Sequence, residues 1–475
     1  MHAFNSRPPR PRAPWQGQAV GQLSTNHAAP EESQGPRLGA SRPRPDRDLY
    51  AKKLVRIGSL LEVGKGKRSV SIEEAKEIIL SSVRPLGMET ISILEAGDRF
   101  LAEDVISRIM IPPLDCSAMD GYAVVAEDTR GAAQDHPVTL QVIGEARAGG
   151  SIGGQRVLRG TAVRIMTGAA MPEGADAVVQ VERTQERSGY ATVFSQTAQY
   201  NNYRRAGENI AKGDKVLDRG ERLSPADVGI LASLNHASVK VYRQPRVAII
   251  STGDELAGVG EEIQFGGIRD VNAYTLCAEI KKYGGVPEHL GIARDSLKDI
   301  KALFLKALEH DVVISTGGVS MGRYDFVKEI YASLGIEMQF EWVNVKPGKP
   351  CVFGTKGGRL VFGLPGSPVS TLTSFIQFVR PALLRLMGAK RINKPVVNAV
   401  LEESINKKQT SKVRLLRGCF TIKNNEFYVS TTGDQKSSVF RSMSEANCLI
   451  MLPENVSRVQ AGEKVAIQLI NHDEV

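Results

Sequence analysis

Three uninterrupted apolar runs, RVAIIST (246–252), DVVIST (311–316) and LVFGL (360–364), each end in a glycine-containing turn and lead into a helical stretch. A strand that is apolar at almost every position must be covered on both faces, as in a parallel sheet flanked by helices. The segments around them have helical spacing. SLKDIKALFLKALEH (296–310) carries Leu297, Ile300, Phe304 and Leu308 on one face. AYTLCAEIKKYG (273–284), with Asn272 as a candidate cap, DFVKEIYASLG (325–335) and one long stretch over 367–387 read the same way, and GVPEHLGIA (285–293) reads as a further strand. Strand–helix alternation over 245–392 predicts an α/β domain built on a parallel sheet.

The flanking regions read differently. Ser71-Ile72-Glu73-Glu74 is a capping-box pattern with Ala75, Ile78 and Ile79 following at helical spacing. Residues 89–106 are expected to form a second short helix. SPADVGILASL supplies Ser224 as cap and Pro225 in the first turn. These segments define a helical linker in two pieces, 69–110 and 208–244. Between them, over 111–207, PVTLQVIGEA, GTAVRIMTGA, ADAVVQVE and YATVFSQ are short β-branched runs separated by Gly, Pro and Asp, which predicts a small β-rich domain. KVRLLRGCF, EFYVSTT, NCLIML and EKVAIQLI make 393–475 β-rich as well.

Charge excludes one function class once it is located. The net charge of +9 suggests nucleic-acid binding, but residues 1–68 hold 13 Lys and Arg against five acids. The remaining 407 residues therefore carry about +1, and no nucleic-acid partner is expected. The tail is rich in Pro, Arg, Gly and Ser and is read as disordered. Its first residues lack the apolar block of a secretory signal, and no apolar run approaches the roughly 20 residues of a bilayer span, so no membrane association is expected. Five cysteines without a CxxC pair and seven scattered histidines give no zinc or disulfide framework and fit a reducing cytoplasm.

The strand-ending turns STGDEL (251–256), STGGVSMG (315–322) and GLPGSPVS (363–370) carry the chemistry. Glycine lets backbone N–H groups approach phosphate oxygens, and the following helix N-termini favour anions. None of the turns is a P-loop or a dinucleotide fingerprint, so a standard kinase or dehydrogenase is disfavoured. Asp254, Glu255, Asp270, Asp295 and Asp325 lie at or beside strand ends, where carboxylates next to a pyrophosphate could hold Mg²⁺. Asp295 and Asp325 could equally be helix caps. KPGKP (346–350) sets Lys346 and Lys349 around a Pro-Gly turn, an arrangement suited to an oxyanion, although the composition also fits a solvated loop.

Eight strings occur in order: PPLDCSAMDGYAV, VRIMTGAAMPEGADAVV, RRAGENI, RVAIISTGDEL, GGIRDVN, TGGVSMGRYDFVK, VKPGKP and VFGLPGSPVS. Together they resemble the molybdopterin molybdenumtransferase family, which includes bacterial MoeA and the E domain of gephyrin, over about residues 70–472. The resemblance implies a multidomain α/β plus β fold, in which the β-rich domain is inserted in the helical linker and 393–475 forms a C-terminal β barrel. It implies insertion of molybdate into adenylylated molybdopterin with Mg²⁺-dependent release of AMP. It also implies a cytoplasmic homodimer whose transient partners are a molybdopterin adenylyltransferase and apo-molybdoenzymes. Matched to the family's motifs, Asp120, Thr167, Glu255, Asp325 and Lys346 are catalytic. Arg204, Ser320, Lys349, Arg417 and Ser437 bind substrate or molybdate, and Asp270, Asp295 and Asp325 contact the metal. Asn209, Trp342 and Ser367 depart from the family's usual Asp, Lys or Arg, and Asn. The alternative implied by the same resemblance is a non-catalytic molybdopterin carrier or scaffold.

Overall fold

The computed structural model describes residues 67–150, 156–318 and 325–470. At its centre is a seven-stranded sheet, in spatial order Lys67–Val70, Glu337–Val343, Pro350–Lys356, Arg359–Leu364, Val312–Thr316, Arg246–Thr252 and Val286–Ala293. The apolar runs pair in parallel as expected. Alternate residues of one run serve opposite faces, which is why the run is apolar throughout. Val247 and Ile249 pack with Leu276, Ile280 and Phe378, whereas Ala248 and Ile250 pack with Ile300, Phe304 and Tyr331.

The sheet is mixed rather than wholly parallel. Pro350–Lys356 runs antiparallel to both of its neighbours. It joins the Arg359–Leu364 strand through Gly357 and Gly358, both at positive φ, the backbone that a two-residue hairpin requires. The long helix over 367–387 is interrupted by a π turn at Phe375–Val379, immediately before Pro381 in Arg380–Leu386. Proline lacks the N–H that would close the regular ladder there.

Three local expectations are corrected. The expected tail, 1–68, extends two residues too far: Lys67 and Arg68 belong to KRSV, a parallel edge strand beside Glu337–Val343; residues 1–66 lie outside the described residues. No α-helix forms over 89–106: Met88–Ser92 is a strand antiparallel to Ser238–Tyr242, followed by a short 3-10 turn over Ile93–Glu95. Likewise, only Pro225–Ser233 is helical within 208–244, and Lys215–Leu217 pairs with Val105–Ile106. β-branched residues paired across more than a hundred positions outweigh a weak local helical period. The Ser71 and Ser224 capping boxes both form. The Ile72–Ser81 helix buries Ile72, Ala75 and Ile79 against the α/β core, apart from the Leu101, Leu217 and Leu231 cluster of the linker strands.

Strands between Gly121 and Val193 form a six-stranded sheet in which Gly121–Val124 is an inner strand. A Cβ on Gly121 would lie 1.9 Å from the carbonyl oxygen of Val179, so only glycine allows this strand pairing. At the C-terminal end, Val413–Lys423 pairs with both Glu426–Thr431 and Cys448–Leu452. With Val396–Leu401 and Lys464–Leu469 this closes a β barrel. Val345–Lys346 leaves the α/β domain and pairs in parallel with Val413 and Arg414, inserting the KPGKP turn at the barrel wall.

Candidate functional site

The two-residue strand Val345–Lys346 places a cleft of about 860 Å³ between the KPGKP turn and two barrel segments, 407–417 and 434–438. Six lysines line it: Lys346, Lys349, Lys407, Lys408, Lys412 and Lys436. Asp434 is the one carboxylate among its described lining residues. Burial, together with the neighbouring Lys349 and Lys346 ammonium groups, holds Lys412 below the ordinary lysine range. Like charges crowded into a concave wall raise the local potential and favour an anion as the missing counter-charge. Gly348 lets the turn lie against the α/β domain: its φ is +104°, and a Cβ there would meet Ser374 Oγ at 2.8 Å.

Four expected site residues, the catalytic candidate Lys346 and the binding candidates Lys349, Arg417 and Ser437, line this one cleft. Arg417 plays a different part from the one expected. It is fully buried, and Nε donates to Ser442 Oγ (2.9 Å), Nη1 to the Gln435 carbonyl (3.1 Å), and Nη2 to the carbonyls of Asp434 (2.9 Å) and Lys436 (3.1 Å). The guanidinium is thus spent on the loop that presents Ser437. Arg414 does similar work opposite, donating to the carbonyls of Val456 and Lys408. The arginines build the walls and the lysines supply the charge. Lys407, Lys408 and Lys412 belong to NKKQTSK, and that basic run is the sequence signal that could have found them.

Asp120 and Thr167 also meet. Antiparallel pairing of Gly121 with Ile165 brings their flanking residues together, and Asp120 Oδ1 accepts from Thr167 N (2.6 Å) and Oγ1 (2.7 Å). These two hydrogen bonds hold the exposed Asp120 carboxyl below the usual carboxylate range. Arg204 lies on the same β-rich region, its Nε donating to Glu208 Oε1 at 2.7 Å. No described residue of 111–207 lines the lysine cleft.

The acids at the sheet end are only partly assembled. Asp254 Oδ1 accepts from Asp295 N at 3.0 Å, joining the loops after Arg246–Thr252 and Val286–Ala293. Ser296, not Asp295, caps the following helix. The Glu255 carboxyl folds back over Gly253. Asp270 is buried; Oδ1 accepts from Ala273 N (3.1 Å), while Oδ2 has no hydrogen-bond partner among the described residues and lies 3.6 Å from His289 Nε2. Asn272 is the first helical residue rather than the cap, and its side chain donates to the Gly366 carbonyl at 2.8 Å. Among the described residues no three His, Cys, Asp or Glu side chains form a metal cluster. Ser320 lies outside the described residues; Asp325 opens the Asp325–Ser333 helix, with its side chain outside what is described. A divalent cation of the Mg²⁺ type needs only one or two protein carboxylates, its other ligands being water and phosphate oxygens. The orphaned Asp270 oxygen fits that demand.

At the positions that depart from the resemblance, Ser367 Oγ donates to Ser370 Oγ (2.7 Å), and the backbone N–H of Asn209 donates to the Ile111 carbonyl (3.1 Å).

Three family models match the chain in order: the MoeA N-terminal region (domain I and II) over 70–235, a probable molybdopterin binding domain over 248–385, and the MoeA C-terminal region (domain IV) over 398–470. A molybdopterin molybdenumtransferase from Haemophilus influenzae is 37% identical over 407 residues, covering 85% of this chain and 99% of that protein. One from Staphylococcus epidermidis is 35% identical over 401 residues, covering 84% and 95%. The crystal structure of the molybdopterin biosynthesis MoeA protein from Pyrococcus horikoshii OT3 matches with a TM-score of 0.73 and 31% identity, over 85% of this chain and all of that one.

Proposed function

The chain belongs to the molybdopterin molybdenumtransferase family, and from that premise we propose that its lysine cleft binds molybdate for insertion into adenylylated molybdopterin. It is an enzyme of molybdenum cofactor biosynthesis. The observation that carries the molybdate assignment is the six-lysine lining with its single carboxylate. Molybdate is a dianion, and a dithiolene substrate brings its own sulfur ligands, so the protein needs charge and orientation here rather than Cys or His donors.

In this reading Lys346 and Lys349 hold the oxyanion, Ser437 adds a hydroxyl, and Arg417 keeps the Ser437 loop in place. Asp270 and Asp295, with Asp325, would hold Mg²⁺. When bound, the ion would neutralise phosphate oxygens at the scissile link. Asp120, kept ionised by Thr167, accepts a proton from the water that attacks the pyrophosphate link, the bond to AMP breaking as the bond to that water oxygen forms; Arg204 steers the phosphates, and Glu255 orders the STGDEL turn beside them. Because the Asp120–Thr167 pair belongs to a region that does not line the cleft, a homodimer in which one chain's β-rich domain closes the other's cleft completes the site. The division into 69–110 with 208–244, 111–207, 245–392 and 393–475 follows from the same reading. A molybdopterin adenylyltransferase would supply the substrate and apo-molybdoenzymes receive the product, in the cytoplasm. No described helix is long and apolar enough to cross a membrane.

The test is AMP release from adenylylated molybdopterin with Mg²⁺, with and without molybdate. Molybdate-dependent release that yields cofactor able to activate an apo-molybdoenzyme is expected. Tight binding without release would support a carrier instead, and molybdate-independent release a hydrolase.

Two pH effects follow. Thr167→Val removes one of the bonds that favour ionised Asp120, so the carboxylate is lost at higher pH than in the parent. The acid limb of the AMP-release profile is expected to move to higher pH; an unmoved limb would remove Asp120 as its source. Lys412 must be protonated to attract the oxyanion, and its lowered value means that charge is lost earlier as pH rises. Molybdate affinity, measured by calorimetry from neutral to alkaline pH, should begin to fall below the ordinary lysine value of about 10.4. Lys412→Gln should flatten that decline.

A further inference from the structure

Lys349 reaches the cleft from a turn whose backbone is pinned at both ends. Val343 N donates to the Lys349 carbonyl at 2.9 Å, and Trp342 registers opposite Pro350 across the sheet. Val345 and Lys346 are held by the barrel strand. Pinning the backbone does not place the ammonium, because four rotatable carbons separate it from the chain. Lys346 and Lys412 line the same cleft with like charge, so neither can hold the ammonium in place. No ion pair among the described residues reaches Lys349. Its ammonium instead lies 4.7 Å from the centre of the Trp342 ring.

We propose that Trp342 is a positioning residue for the oxyanion site, its indole face holding the Lys349 ammonium at the cleft wall. Indole is the strongest of the aromatic faces for a cation, and it attracts through its quadrupole. The choice of partner matters chemically. A carboxylate in this place would fix Lys349 just as well, but it would cancel the positive charge and repel an incoming dianion. An aromatic face fixes the lysine and leaves its full charge for the ligand. Trp342 is therefore compatible with an anion site in a way that an acidic neighbour is not. The inference rests on the reading of the cleft as the molybdate site.

The chain has two tryptophans, Trp15 and Trp342, so Trp15→Phe makes Trp342 the only reporter of tryptophan emission. In that full-length chain, molybdate is titrated while emission is followed, and affinity is measured in parallel by calorimetry. The same calorimetry is run on Trp342→Phe and Trp342→Leu, with thermal unfolding as a control. Leucine fills the space without a π face, and phenylalanine retains one. Emission should change with the same saturation as the heat, because the anion draws Lys349 away from the ring or reorients it. Trp342→Leu should weaken molybdate binding about fivefold, and Trp342→Phe by less than about twofold, at similar unfolding midpoints. Equal affinity in all three proteins, or equal weakening by Leu and Phe, overturns the positioning role while leaving the cleft assignment intact. Absence of saturable molybdate binding to the parent chain overturns the cleft assignment and this inference with it.

Discussion

Replacing Lys346 and Lys349 together by glutamine is expected to abolish saturable molybdate binding and to lower molybdate-dependent AMP release by about 10²–10⁴-fold. The magnitude comes from losing two charge-assisted contacts, each worth about 1.5–3 kcal/mol in a partly desolvated site. What separates this from general damage is the direction of the stability change. The two lysines stand in a cleft with four others, and together with burial they hold Lys412 below its ordinary range. Removing them relieves repulsion in the empty protein, so the unfolding midpoint should stay level or rise. A falling midpoint with proportionate loss of activity would mean that the lysines serve the fold rather than the ligand. Retained molybdate binding would move the oxyanion site elsewhere.

Arg417→Met is expected to act in the opposite way, destabilising the barrel by about 3–5 kcal/mol. The guanidinium donates to one hydroxyl and three backbone carbonyls, all from within the core. Methionine fills part of the volume and supplies no donor, leaving the buried Ser442 hydroxyl and three part-buried carbonyls without it, at about 1–3 kcal/mol each less what water and local relaxation recover. Arg417→Lys should not rescue it, since a single ammonium cannot span four acceptors fixed in a planar fork. Unfolding in urea, and hydrogen exchange at the 434–438 amides, would report the loss directly. If instead Arg417→Met keeps its unfolding curve and loses only molybdate binding, the arginine is a ligand contact, as the resemblance implied, and not the post that holds the Ser437 loop.

These three residues mark how far the candidate site can be read from sequence. Lys346 and Lys349 are legible because their arrangement is local: two cations three residues apart around a Pro-Gly turn. Arg417 carries no such mark. In KVRLLRGCF it is one arginine on a strand, and nothing nearby in sequence distinguishes a charge facing a cleft from one turned into a core of carbonyls. Lys407, Lys408 and Lys412 join the site only because the barrel brings NKKQTSK opposite KPGKP. Asp120 and Thr167 lie 47 residues apart and are singled out in the sequence only by the family's motifs. Their hydrogen bonds exist because Gly121 and Ile165 are in register on neighbouring strands.

The fold divides along the same line. The apolar runs at 246–252, 311–316 and 360–364, the capping boxes at Ser71 and Ser224, and the order of the motifs are properties of short stretches, and they determined the α/β core, two helix starts and the family. The strands at Met88–Ser92 and Lys67–Val70 were decided only when their partners, Ser238–Tyr242 and Glu337–Val343, were brought alongside. The same holds for the antiparallel course of Pro350–Lys356 and for the assembly of six lysines from three separate segments. Side-chain period and capping act over a few residues and are written in the chain. Strand pairing, burial of a charge and crowding of like charges depend on residues far apart in sequence, and only the packed structure decides them.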